Sequence, residues 1–189
     1  MNKPPETAKP IAAICRGYIR FARMLSAAGL TLAATACALM MLLVVFEVST
    51  RKFIPPLGLD VVELSGYALL AISFFGLAHA FVTGRLIRVN IFYRRFSGIW
   101  LKIIDFSLAL VSSAFAGLLC YCSWRLVFQS MRIEAKSGSL MGIPLQHPQM
   151  IISLGLSILF MIILGYMMDR LLILFNIDLK MFEFDGRET

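Results

Sequence analysis

The sequence predicts an all-α integral membrane protein with four transmembrane helices, and three observations lead to this fold class. Hydrophobic residues make up 59% of the 189 residues, well above the share found in a soluble domain. Four apolar runs are each long enough to cross the hydrocarbon core of a bilayer. The basic residues gather at the ends of these runs and form no polar basic face, so we expect contact with membrane lipids and no binding of nucleic acid.

The four apolar runs divide the chain into one membrane domain, residues 24–175, flanked by two cytoplasmic tails, residues 1–10 and 176–189. Prolines and glycines occupy the two polar connections after the first and third runs, where they end the helices. The predicted spans cover about residues 24–46, 64–82, 106–128 and 148–168.

The segment that precedes the first span, residues 11–23, has the spacing of an amphipathic helix. Cys15 and Ile19 fall on an apolar face, while Arg16 and Arg20 fall on another. This pattern predicts a helix that lies in the membrane interface with its arginines toward the headgroups. The alternative is that the segment simply extends the first span into the cytoplasm.

The distribution of lysine and arginine predicts the orientation. Thirteen of these residues lie in the N-terminal segment, between spans two and three, or in the C-terminal tail, and five lie on the other side. Because cytoplasmic loops carry the excess of positive charge, both termini are expected in the cytoplasm.

Residues that could carry out chemistry are few and poorly placed for it. Acidic residues such as Asp105 and Asp169 lie at the span ends, away from the middle of the bilayer. His79 and His147 belong to opposite membrane sides and cannot ligate one haem, so His79 is expected to be packed with a hydrogen-bond partner. We therefore expect no catalytic, metal or cofactor site, and no enzyme activity.

Small residues at helical spacing within the spans are candidates for close helix packing, because they let helices approach each other in lipid. They could pack within this bundle, or some of them could face a larger partner. The candidates are Gly76, Ala80, Ala109, Ser113, Gly117, Ser153 and Ser157.

Three short motifs carry a family resemblance. Arg51 and Phe53, followed by Pro55 or Pro56, resemble an arginine-aromatic-proline exit from span one, and Ser139-Leu140 with Ile143-Pro144 resembles the start of span four. The turn after span two is similar to Gly-x-His-Ile-x-Val-Asp, with Leu86 in place of His and Asn90 in place of Asp. In these motifs the chain resembles the small permease subunit of tripartite ATP-independent periplasmic (TRAP) transporters, the DctQ-like family. The matching residues of the turn are Gly84, Ile87, Arg88, Val89 and Asn90.

The resemblance implies a scaffold subunit of the bacterial inner membrane that assists a large permease subunit. In such a transporter the large subunit holds the substrate and sodium sites, so no cofactor is expected in this chain. A periplasmic binding protein delivers an organic acid, similar to a dicarboxylate or to sialic acid.

Charged residues of the two outer connections are candidates for docking the binding protein, with ordinary solvated loop charges as the alternative reading. Two other functions stay open: an autonomous four-span transporter that acts as a homodimer, and a non-transport membrane assembly protein. The candidate docking residues are Arg51, Lys52, Asp60, Arg132, Glu134 and Lys136.

Overall fold

Four long α-helices make up the computed structural model, which describes residues 9–50, 60–84, 99–138 and 142–174, with side chains from residue 13 onward. All four are long and apolar enough to cross a membrane, which confirms the predicted four-span all-α class. The described residues form no strand beyond one isolated bridge between Lys136 and Pro144. The helices are α1 (Lys9–Thr50), α2 (Val61–Val82), α3 (Ile99–Arg132) and α4 (Gln146–Leu174).

Helix α1 runs without interruption through 42 residues, a length of about 63 Å. Residues 11–23 are therefore not a separate helix, and this continuity favours the alternative in which they extend the first span. Their position relative to the membrane surface stays a prediction. The buried residues recur every three or four positions, as on one face of a helix, so a single seam of α1 packs inward. That seam consists of Cys15, Ile19, Ala22, Ser26, Gly29 and Ala33.

Helix α2 has defined ends that agree with the residues found there. The Asp60 side chain accepts a hydrogen bond from the backbone N–H of Glu63 at 3.2 Å, which caps the first turn. After Thr83, Gly84 takes a left-handed conformation with φ of 68° and so ends the helix. The first residue of the family-like turn is thus the one that needs to be glycine.

Helix α4 occupies the centre of the arrangement. It contacts α1, α2 and α3, whereas α1 also contacts α2, and α3 contacts no described helix except α4. The end of α1, the start of α2 and the described residues between α3 and α4 lie at one end of the molecule, which we call the two-loop end. We call the opposite end, where α1 and α3 begin and α2 and α4 finish, the termini end.

Small residues on different sides of α4 bring two of its neighbours, α2 and α1, close. A Cβ atom built on Gly155 would lie only 2.6 Å from Cβ of Phe74 in α2. On another side, a Cβ on Gly165 would lie 3.2 Å from the Tyr18 ring of α1. Such close approach is what small residues permit where lipid gives no hydrophobic driving force between helices.

Candidate functional site

Hydroxyl and indole groups join α3 to α4 inside the apolar region. Ser153 is fully buried and its hydroxyl donates to the Gln149 carbonyl at 2.9 Å. Because its only proton is used there, the hydroxyl of Ser123, 2.6 Å away, must donate to it. One turn further, Trp124 Nε1 donates to the Ser157 hydroxyl at 3.0 Å. These polar groups are therefore used in holding two helices together.

Most of the small residues singled out in the sequence lie in this same α3–α4 interface. Ala109 and Ser113 are buried, and a Cβ on Gly117 would lie 3.1 Å from the Phe160 ring. In contrast, a Cβ on Gly76 would meet nothing within 4 Å, and Ala80 is half-buried. The set thus divides into residues of the α3–α4 interface and, in α2, a glycine beside which there is room for a partner.

A charged and aromatic cluster joins the helices at the termini end. The Arg170 guanidinium lies 4.7 Å from the centre of the Tyr166 ring and forms an ion pair with Asp105 of α3 at 3.8 Å. Phe81 of α2 meets Tyr166 edge-on, with ring centres 5.9 Å apart. On the α1 side, the Tyr18 hydroxyl donates to the Met161 carbonyl at 2.9 Å. One end of α4 thereby contacts all three other helices.

Asp169 is the residue whose environment the sequence reasoning missed. It was placed at a span end with no further role, yet only 1% of it is exposed. It lies three, four and seven residues after Tyr166, Gly165 and Ile162, all of which are buried, so it shares their helix face. That helical spacing was the signal that could have predicted its burial.

His79 has the hydrogen-bond partner expected of it. Its Nδ1 atom lies 3.2 Å from the hydroxyl of Ser26, which is fully buried in the α1 seam. Within the described residues, no group of three or more His, Cys, Asp and Glu side chains could hold a metal ion.

The two-loop end carries exposed charges on a short folded connection. The backbone N–H of Ser137 donates to the Ile143 carbonyl at 2.8 Å, and that of Leu145 donates to the Ala135 carbonyl at 2.9 Å. This pairing holds Arg132, Glu134 and Lys136 on an exposed connection. Pro144, one of the family-motif residues, is paired with Lys136 in the isolated bridge.

The start of α2 lies beside this connection. The Tyr67 hydroxyl donates to the Glu63 carboxylate, and the Ser137 side chain is within hydrogen-bonding range of the same hydroxyl. Asp60, half-buried at the α2 cap, belongs to the same end of the molecule. The four described docking candidates therefore occupy one end of the molecule.

Several of the predicted site residues lie outside the described residues. They are the docking candidates Arg51 and Lys52 and the motif residues Phe53, Ile87, Arg88, Val89 and Asn90.

A comparison with protein families gives a match. The family described as "Tripartite ATP-independent periplasmic transporters, DctQ component" matches residues 40–172, which is more than half of the chain. The match covers all of α2, α3 and the polar connections, together with the last part of α1 and nearly all of α4. Searches of curated proteins and of solved structures gave no match.

Proposed function

The chain belongs to the DctQ family, the small membrane subunits of TRAP transporters, and from this premise we propose that it acts as a static scaffold for a large permease subunit. The family is a transporter component and not an enzyme family, and its four-span members are multi-pass proteins of the bacterial inner membrane. In the proposed complex the large subunit binds the substrate and sodium. The substrate is an organic acid, of the dicarboxylate or sialic-acid type, that a periplasmic binding protein delivers.

One observation supports the scaffold role most directly: several buried or half-buried polar side chains inside the spans bond to one another between helices. Ser123 bonds to Ser153, and Trp124 bonds to Ser157. The same holds for Ser26 and His79 between α1 and α2. Polar groups used in this way rigidify a membrane bundle and line no path for a solute. A rigid body beside a moving permease needs this kind of interior.

The proposed orientation puts the termini end in the cytoplasm and the two-loop end in the periplasm. In this orientation Arg16, Arg20 and Arg23, all exposed on α1, lie near the cytoplasmic headgroups. The exposed charges of the α3–α4 connection then face the compartment of the binding protein. We propose that Arg132 and Lys136 contribute to docking, together with Arg51 and Lys52 of the other connection.

Affinity purification of the tagged full-length chain, co-expressed with its genomic neighbours and extracted in a mild detergent, tests the scaffold proposal. We expect a large polytopic partner in equal amount, identified by mass analysis. A clean homodimer in the presence of the expressed partner would contradict the proposal and favour an autonomous transporter.

Charge reversal tests the docking proposal separately. The variant Arg132→Glu/Lys136→Glu is expected to weaken the affinity of the binding protein for the membrane complex several-fold at low salt. The effect should be smaller at high salt, because salt screens the attraction between exposed charges. Arg125→Glu, also exposed but inside α3, serves as the matched control. Unchanged affinity in the double variant would remove these residues from the docking surface.

A further inference from the structure

An apolar groove of about 640 Å³ opens between α1 and α2 near the two-loop end. Its walls are almost wholly apolar, with Ser65 and Tyr67 as the polar exceptions, and the hydroxyl of Ser65 is already bonded to the Val62 carbonyl at 2.8 Å. Helix α4 contributes a single side chain, Ile151. The lining residues on the other two helices are Ala36, Leu39, Met40, Leu42, Leu43 and Phe46 of α1 and Leu64, Ser65, Tyr67, Ala68 and Ala71 of α2.

The groove follows from a change in residue size along the α1 seam. From Ala22 to Ala33 the seam residues are small, and a Cβ on Gly29 would lie 3.6 Å from the Phe75 side chain. The hydrogen bond between Ser26 and His79 fixes the same close approach. Further along, the seam positions are Met40 and Leu43, which are only half-buried. The two helices are therefore in close contact at one end of the pair and leave a groove at the other.

The length of the groove identifies its occupant. Its α1 wall runs from Ala36 to Phe46, which is about 15 Å at the rise of an α-helix. That is half of the hydrocarbon thickness of about 30 Å, the depth of a single lipid leaflet. A transmembrane helix of a partner protein would need a groove through the whole thickness, and the contact at Gly29 and Phe75 closes this one midway.

The chemistry of the groove points the same way. Water does not occupy an apolar cavity that offers it no hydrogen-bond partners. Because the groove lies between two helices that are long and apolar enough to span a membrane, the solvent around it is lipid hydrocarbon. Ala68 and Ala71 keep the α2 wall shallow, so a linear chain of methylenes can lie along it.

We propose that this groove holds one acyl chain of a phospholipid from the leaflet at the two-loop end. The acyl chain fills the space between α1 and α2 and completes their packing in that leaflet. This inference is independent of the proposed scaffold role, since it concerns the chain by itself.

Native mass spectrometry of the full-length chain tests the proposal. After delipidation, the protein is supplied with palmitoyl-oleoyl phosphatidylethanolamine, and the one-to-one adduct is measured. Two variants, Ala36→Phe and Ala71→Phe, fill the groove from opposite walls, and both are expected to lower the adduct at least tenfold. Ala38→Phe adds the same ring to an exposed position of α1 outside the groove and is expected to retain the adduct.

A phospholipid with a photoreactive group in the middle of its acyl chain then locates the contact. We expect cross-links concentrated in residues 36–46 and 64–71 of the wild-type chain. Equal adducts in the wild-type chain and both filled variants, or cross-links spread evenly over the exposed faces of α1 and α3, would overturn the proposal. Gel filtration and circular dichroism of each variant separate a filled groove from a misfolded chain, and Ala71→Leu replaces any variant that does not fold.

Discussion

Helices α4 and α1 are almost equally apolar along their most hydrophobic stretches, yet 44% of that stretch of α4 is buried within the protein against 11% for α1. The difference lies in where their small residues point. On α4, Ser153 contacts α3, Gly155 contacts α2 and Gly165 contacts α1. On α1 the buried residues form a single seam. Hydropathy thus identifies a span, whereas the directions of small residues decide whether it becomes the central helix.

The largest expected effect comes from adding a side chain to α4 where it meets α2. In Gly155→Leu the first added atom already lies within 2.6 Å of Phe74 Cβ and 3.1 Å of its backbone carbonyl carbon, neither of which is the end of a flexible side chain. We expect a loss of at least about 3 kcal/mol in the free energy of unfolding, as for severe overpacking of a core. Unfolding by sodium dodecyl sulfate titration measures it.

The matched control is the same substitution at a glycine that faces outward. A Cβ on Gly66 would meet nothing within 4 Å. Gly66→Leu is therefore expected to leave the unfolding midpoint nearly unchanged. Equal losses in the two variants would mean that helix backbone effects, and not the position of α4, cause the sensitivity.

The ion pair at the termini end has the next largest expected effect. Asp105→Asn keeps the side-chain shape and removes the charge that faces Arg170, and the two side chains are only 13% and 12% exposed. Breaking a buried pair costs roughly 3–5 kcal/mol, and the 3.8 Å separation reduces this to about 2 kcal/mol here. A double-mutant cycle with Arg170→Gln measures the coupling. Additive losses would show that α3 is not held to α4 through this pair.

A smaller effect is expected from the indole hydrogen bond between α3 and α4. Trp124→Phe keeps an aromatic ring but removes the donor to Ser157. Hydrogen bonds between membrane helices contribute about 0.6 kcal/mol on average, so a loss of that order is expected. The variant Ser157→Ala should then cost little further in the Trp124→Phe background. If Ser157→Ala in that background lowered the stability by the full amount again, the two residues would contribute independently and not through a shared hydrogen bond.

The sequence predicted the four spans well because each long apolar run has few structural alternatives in lipid. It also predicted that His79 has a hydrogen-bond partner, since a histidine within a span needs a hydrogen bond. In contrast, no pattern in the sequence pairs Trp124 with Ser157, to which it donates a hydrogen bond. A single sequence gives the depth of a residue but not which neighbouring helix it faces.

The candidate site was less predictable for a related reason. The packing candidates of α3 and α4 were chosen by residue type and helical spacing, and the sequence offered no way to separate them from Gly76, whose surroundings are open. The continuity of α1 through residues 11–23 was also undecided, because an amphipathic pattern fits both an interfacial helix and a segment packed on α4. Both the packing of the candidates and the continuity of α1 depend on which helices lie next to each other, and no local sequence pattern encodes that.

The smallest expected effect on stability, and the most informative about the partner, comes from Gly76→Leu. Because nothing lies within 4 Å of the added Cβ, we expect a change of less than about 0.5 kcal/mol in the unfolding of the chain alone. We expect the amount of large permease recovered with the tagged chain to fall several-fold, since a leucine blocks close approach of a partner helix. Ala34→Leu, on the exposed face of α1, is the control for added bulk. Full recovery of the partner with Gly76→Leu would mean that this face of α2 contacts lipid.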